Sequence, residues 1–193
     1  MKVPKVLAFA GATRTESWNK KLVRVAVRAA EQAGGEVTLI DLRDYPMPLY
    51  DGDLERDHGL PPKARELKAL MVATDAFLLS CPEYNSSISG VLKNTIDWIS
   101  RPQPEETRYL AFKGKVAGLL SASPGNLGGV RALLTVRQVL TTVGVLVLPT
   151  QFALAHAASA FHEDGTLKDD GHRAAVAAVV AEVLAVTARL NVE

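Results

Sequence analysis

Three polar segments punctuated by glycine hold most of the residue types that could do chemistry. The first reads Gly11-Ala12-Thr13-Arg14-Thr15-Glu16-Ser17-Trp18-Asn19 and runs into a helical pattern. A helix start presents free backbone N–H groups and a partial positive charge, so hydroxyls, a guanidinium and an amide beside it suit a phosphate. Its glycine spacing is neither GxGxxG nor GxxxxGK[ST], which argues against a dinucleotide fingerprint and an ATPase loop. The plainer alternative is that Ser17 or Asn19 simply caps the helix. The second segment runs from Cys81-Pro82-Glu83-Tyr84-Asn85 through Ser89-Gly90 to Lys93-Asn94. A proline, an aromatic and an amide directly after a strand make a stiff ledge that could face a planar heteroaromatic ring. Its plainer alternative is a long surface turn with Tyr84 packed on its neighbours. The third, Ser121-Ala122-Ser123-Pro124-Gly125-Asn126-Leu127-Gly128-Gly129, is built of small residues that let a backbone come close to a ligand. Otherwise it is a flexible loop that leads into a helix.

The remaining reactive types are scattered. His58, His156, His162 and His172 lack metal-ligand spacing, so no metal site is expected. The single cysteine, Cys81, excludes an intrachain disulfide and a cysteine-based zinc finger; ending an apolar run, it reads as a small buried hydrophobe. No side-chain acid, base or nucleophile stands out as catalytic. The net charge of +1 gives no broad electrostatic footprint for nucleic acid or an anionic membrane. It also lacks the acidity that helps a soluble electron carrier find basic partners. Neither a signal peptide nor an apolar run of roughly 18–20 residues is apparent. The expectation is a soluble, cytoplasmic chain without membrane or nucleic-acid partners.

The elements that must position these segments follow from the alternation of patterns. Lys5 to Ala10 is a short buried strand, Lys20 to Ala33 has helical spacing, and Gly34-Gly35 stops it. Glu36 to Leu42 is a second strand, and Asp44 to Gly59 is a surface loop rich in proline, aspartate and glycine. A helix opens at Pro61-Pro62, a third strand covers Ala76 to Cys81, and a helix spans Val91 to Ser100. Lys115 to Ser121 is strand four, Gly129 to Val143 a helix, and Val145 to Leu148 strand five. Gln151 to Gly171 reads as irregular before a closing helix from His172 to Leu190. Continuous apolar strands alternating with helices imply a parallel sheet covered on both faces. The expected architecture is an α/β, flavodoxin-like three-layer sandwich with a five-stranded parallel sheet in the order 2-1-3-4-5. At 193 residues, with no linker or repeat, it reads as a single domain over residues 1–193. In such sheets ligands bind outside the carboxyl ends of the strands, where the three polar segments lie.

Together the segments resemble the NAD(P)H-dependent FMN reductase family, the flavodoxin-like group that includes bacterial quinone, chromate and azo-dye reductases. The family pattern is roughly G-S-x-R-x-x-S-x-N, then P-E-Y-N-x-S-x-P-G-x-L-K-N-x-I-D-W, then S-x-G-x-x-G-G. This chain reads G-A-T-R-T-E-S-W-N, P-E-Y-N-S-S-I-S-G-V-L-K-N-T-I-D-W and S-P-G-N-L-G-G. The resemblance covers at least Lys5 to Leu148. It implies that Thr13, Arg14, Ser17 and Asn19 hold an FMN phosphate, and that Pro82, Glu83, Tyr84 and Asn85 line the isoalloxazine. It further implies that Ser121, Ser123 and Gly125 approach the ring or ribityl chain, and that backbone N–H groups there, or the helix start after them, meet charge near N1 and O2.

The implied activity is hydride transfer from NAD(P)H to bound FMN, then electron delivery to a small-molecule acceptor such as a quinone, free flavin, azo compound or metal oxyanion, in ping-pong order. The implied assembly is a homodimer or homotetramer, with the helix carrying Trp98 at the interface and Tyr50-Asp51 capping the neighbour's site. Two departures stand out. Ala12-Thr13 replaces a serine and a variable residue, which leaves the choice of phosphate-facing hydroxyl open. Ser89 replaces the usual proline and is expected to loosen the loop before the helix. Rival readings are a non-catalytic flavodoxin-type electron carrier and a flavin-binding regulatory module, because a fold alone does not decide function.

Overall fold

Five apolar runs pair side by side in the computed structural model, which describes residues 3–191. The strands are β1 (Lys5–Ala10), β2 (Glu36–Leu39), β3 (Ala76–Ser80), the short pair β4 (Glu83–Tyr84) and β5 (Ser87–Ile88), β6 (Val116–Ala122) and β7 (Leu146–Leu154). All main-sheet pairings are parallel, in the order β2-β1-β3-β6-β7. With the hairpin β4–β5 set aside, this is the 2-1-3-4-5 order of the expected flavodoxin-like sheet.

Side chains alternate across the sheet, as strand geometry requires. Val6, Ala8 and Ala10 of β1 pack with α1 (Trp18–Gln32) and α6 (Asp170–Leu190). Leu7 and Phe9 face the opposite core, with α3 (Pro62–Val72), α4 (Gly90–Ile99) and α5 (Val130–Thr142). Two helix layers thus cover one sheet. The long linker before α3 holds the short α2 (Gly52–His58).

The differences from the sequence expectation are local. β2 ends at Leu39 because Asp41 accepts a bond from the Arg43 N–H and opens a single 3₁₀ turn over Leu42–Asp44. The stretch 44–59 is not all loop. Asp51 caps α2 and Gly59, at φ 69°, ends it; α2 buries no residue, so no apolar period betrays it. The fifth strand continues through Pro149 to Leu154. Ala117 pairs with Val147 but Leu119 pairs with Gln151, so the register slips around Pro149 on an edge strand, where a missing N–H is tolerated. The turn after β3 is itself a hairpin: Asn85 (φ 51°) and Ser86 (φ 66°) form the two left-handed positions of a tight turn.

Because β1, β3 and β6 run in the same direction, the segments that leave them emerge at one rim. Gly118, in the middle of β6, lets α6 lie close: a Cβ there would stand 2.6 Å from Val183 Cγ2 and 2.9 Å from Val179 Cγ1. Both neighbours are β-branched and stiff, so they cannot swing away. Gly118→Ala is expected to cost about 1–3 kcal/mol by overpacking. Thermal unfolding should register this as a fall of roughly 2–4 °C in Tm per kcal/mol. A Tm equal to the parent's would contradict the close approach.

Candidate functional site

Asn19, the second residue of α1, joins the three loops at their bases. Its Oδ1 accepts from Ser80 Oγ at the end of β3 (2.9 Å) and from the Ala122 N–H at the end of β6 (3.0 Å). Its Nδ2 donates to the Ala122 carbonyl (2.9 Å), and the residue is 3% exposed. Gly11, where the first loop begins, donates its N–H to the Ser80 carbonyl (2.9 Å). The Gly11 carbonyl accepts from Ser89 Oγ (2.5 Å), and Ser89 caps α4 by accepting from the Leu92 N–H (3.2 Å). A Cβ at Gly11 would stand 2.9 Å from Leu92 Cδ2 and 3.1 Å from Leu92 Cβ, so a larger residue in this turn would push on α4.

The loops so joined enclose a narrow cleft of about 100 Å³. That is below the span of fully enclosed small-molecule sites, so a ligand here would lie partly outside the loops. One wall is Arg14, Ser17, Trp18 and Asn19; the other is Pro82, Glu83 and Tyr84; Ala122, Ser123 and Pro124 close the end. Ser17 stands at the N-cap of α1, yet its hydroxyl makes no capping bond, and the first helical turn carries no acidic residue. The partial positive charge of that helix start is therefore left for an anion. The Arg14 guanidinium lies 5.0 Å from the centre of the Trp18 ring, a cation–π contact that holds it beside the same opening. Across the cleft, Tyr84 is 52% exposed, so its ring is open to a ligand rather than packed into the core.

Seven of the eleven residues singled out from sequence line this cleft: Arg14, Ser17, Asn19, Pro82, Glu83, Tyr84 and Ser123. Four do not. Thr13 faces an adjacent pocket with Leu42, Arg43 and Tyr45. Asn85 is exposed at the hairpin turn. Ser121 is buried and donates its hydroxyl to the Gly128 carbonyl (2.7 Å). Gly125 is exposed at the loop tip, where its N–H donates to Ser123 Oγ (3.2 Å). Gly128 has φ +60°, and a Cβ there would meet the Ala153 carbonyl at 2.7 Å; this glycine serves close packing on β7. The helix start after this loop is also occupied: Glu83 Oε2 accepts from the Arg131 N–H (3.2 Å) and the Arg131 guanidinium donates to Ser86 Oγ (2.6 Å).

Sequence reading missed the groups that brace the first loop from behind. Lys20, 6% exposed, donates from Nζ to Asp41 Oδ2 (2.7 Å) and to the Thr13 carbonyl (3.3 Å). Arg43 reaches Asp41 Oδ2 through Nε (3.1 Å) and Nη2 (2.9 Å), and Thr15 Oγ1 through Nη1 (3.1 Å). Burial pushes the Asp41 carboxyl up, but the bonds from Lys20 and Arg43 outweigh it and hold the group at about 2. The one sequence signal was a polar pair just beyond an edge strand. Ser89 does not loosen its loop as expected, since its hydroxyl makes two bonds. Tyr50 is anchored within its own chain: its N–H donates to Asn94 Oδ1 (2.7 Å) and its hydroxyl to Glu55 Oε2 (2.7 Å), while Asp51 caps α2. Burial pushes the Cys81 thiol up to about 12, so it is no thiolate nucleophile. Among the described residues, no group of three or more His, Cys, Asp or Glu is arranged to hold a metal ion. No helix among them is long and apolar enough to cross a membrane.

Comparison with known proteins places this geometry among flavoenzymes. The family model described as NADPH-dependent FMN reductase matches residues 4–159. An NAD(P)H-dependent FMN reductase of Pseudomonas aeruginosa is 38% identical over 170 residues, 88% of this chain and 87% of that protein. A quinone reductase of Pseudomonas putida is 34% identical over 167 residues, covering 85% of this chain and 84% of its own length. Among solved structures, FerB from Paracoccus denitrificans, a flavoenzyme NAD(P)H:(acceptor) oxidoreductase, superposes with a TM-score of 0.80 at 29% identity, covering 97% of this chain and 98% of that one.

The Asp41 brace has a pH signature. Its folded value of about 2 lies below the ordinary 3.8, so its stabilisation is complete above about pH 4 and is lost as pH falls through 2. Asp41→Asn removes that contribution at neutral pH. Stability measured by urea unfolding should drop at pH 7 and decline less steeply between pH 4 and 2 than in the parent. Parallel acid limbs in the two proteins would show that Asp41 is not held in its charged form.

Proposed function

The chain belongs to the NADPH-dependent FMN reductase family, and on that premise we propose that its three-loop cleft holds FMN for the oxidation of NAD(P)H by a small-molecule acceptor. The observation that carries this reading is the polarity of the cleft. An uncapped helix start beside Arg14 forms one wall, and an open aromatic ledge at Pro82–Tyr84 stands across from it. A mononucleotide with an anionic tail and a planar head matches that division. The chemistry supplied by the flavin is hydride acceptance at N5 followed by delivery of the electrons to the acceptor.

The protein's tasks are binding, orientation and charge placement. Arg14, the Ser17 hydroxyl and the first backbone amides of α1 meet the phosphate, with Asn19 contributing its main chain while its side chain holds the loops. Thr13 lines the neighbouring pocket, and its carbonyl, held by Lys20, braces the loop. Pro82, Glu83 and Tyr84 form the ledge for the ring, with Asn85 closing the hairpin behind them. Glu83 already occupies the start of α5, and the Ala122, Ser123 and Gly125 N–H groups are spent on Asn19, the Leu154 carbonyl and Ser123 Oγ, so no donor between Ser121 and Gly125 is assigned to N1 and O2. No side-chain acid or base is assigned. Quinones are the favoured acceptors, supported by the names of the relatives, and azo compounds, free flavin and metal oxyanions belong to the same class. The reading of one domain over residues 1–193 is supported by a single covered sheet. Assembly as a homodimer or homotetramer and residence in the cytoplasm rest on the resemblance and on the sequence.

The test is direct. The purified chain should take up FMN, show the flavin absorbance in the visible, and lose it on anaerobic mixing with NADH or NADPH. Addition of a quinone should restore it. A chain that takes up no flavin, or whose bound flavin neither nicotinamide reduces, would overturn the reading. Arg14→Ala removes a charged donor to the phosphate and should weaken FMN retention roughly 10–100-fold, more than it slows flavin reduction in the saturated variant. Unaltered FMN affinity would contradict the phosphate role.

A further inference from the structure

Ser89 lies between β5 and α4 at φ −66° and ψ 148°, and is 1% exposed. Its hydroxyl is used twice. It accepts from the Leu92 N–H as an ordinary helix cap, and it donates to the carbonyl of Gly11, the residue from which the first loop departs. The second bond has no capping purpose. It links the segment proposed to carry the flavin ring to the segment proposed to carry its phosphate. Gly11 is fixed on its other sides by the Ser80 carbonyl and by Leu92. Further along that loop, Lys20 holds the Thr13 carbonyl and Arg43 holds Thr15 Oγ1, both of them tied to Asp41 beyond β2, and Lys21 pairs with Glu16 (3.7 Å).

We infer that Ser89 is a positioning residue whose hydroxyl sets the spacing between the phosphate half and the ring half of the cleft. Removing it leaves the buried Gly11 carbonyl without its side-chain donor, and the first loop loses its hydrogen bond to the α4 side while the Lys20 and Arg43 braces remain. The consequence falls on the phosphate contacts, because Arg14 and Ser17 ride on that loop, whereas the ledge at Pro82–Tyr84 is held separately by Glu83, Arg131 and Ser86. The inference rests on the reading that the cleft takes FMN.

Riboflavin supplies the discriminating probe, since it has the ring and ribityl chain but no phosphate. Titration of the flavin-free full-length protein with FMN and with riboflavin, followed by flavin fluorescence, separates the two halves. Ser89→Ala should raise the Kd for FMN about tenfold, the worth of one buried hydrogen bond, and leave riboflavin affinity at the wild-type level. Ser89→Thr, which keeps a hydroxyl, should restore FMN affinity. Ser89→Pro suits the observed φ and stiffens the backbone without a hydroxyl; it should show the same selective loss as Ser89→Ala. Equal losses for both flavins would make Ser89 a mere helix cap and overturn the inference. So would wild-type FMN affinity in Ser89→Ala or in Ser89→Pro. A wild-type protein that binds neither flavin would instead overturn the functional reading on which the inference stands.

Discussion

A parallel sheet leaves backbone donors and acceptors at the carboxyl ends of its strands, and the Asn19 carboxamide satisfies both at the end of β6 while also accepting from a side-chain hydroxyl at the end of β3. Toward Ala122 it behaves as a peptide group would, accepting from the N–H and donating to the carbonyl. Toward β3 its oxygen takes the Ser80 hydroxyl as well. Since Asn19 belongs to the first turn of α1, this one side chain sets the start of the first crossover helix against the exits of the third and fourth segments of the sheet. An apolar group there would orphan buried polar atoms on two strands, which is costly in a dry interior. The positions of the Arg14–Ser17 wall and the Pro82–Tyr84 wall both descend from this contact.

Around it, polar residues divide by exposure. Those fully inside hold backbone: Ser89 on Gly11, Ser121 on Gly128, Lys20 on Thr13. Those at the rim, such as Arg14 and Tyr84, make few internal bonds and face the cleft. This arrangement keeps the facing groups at fixed spacing while leaving their polar atoms for a ligand, which is what preorganised binding demands. Glu83 belongs to both groups, lining the cleft while its carboxylate ties the hairpin to α5.

Much of this was legible in the residues. Short apolar runs such as KVLAFA and AFLLS mark the strands, since each is too short for a helix and buried on both faces, whereas their periodicity alone does not set the order. α2 was not, because none of its residues is buried. Pro149 hid the second half of β7, as a proline in a strand ordinarily marks its end. In the site, the motif residues named the right rim, but residue type does not say where a side chain points. Asn19 and Ser121 turn inward, and Thr13 turns to the neighbouring pocket. The Lys20–Asp41–Arg43 brace joins residues of two different elements with no shared period, so only the folded chain brings it into view.

Amide hydrogen exchange of the flavin-free protein, with and without saturating FMN, tests most directly whether the three loops act as one cradle. The account predicts that residues 11–20, 82–90 and 121–129 slow together on FMN addition while the remote groove lined by Arg28 and Gln32 of α1 and Arg173 and Ala177 of α6 exchanges as before. Protection confined to a single one of these segments, or gathered in that groove, would contradict it.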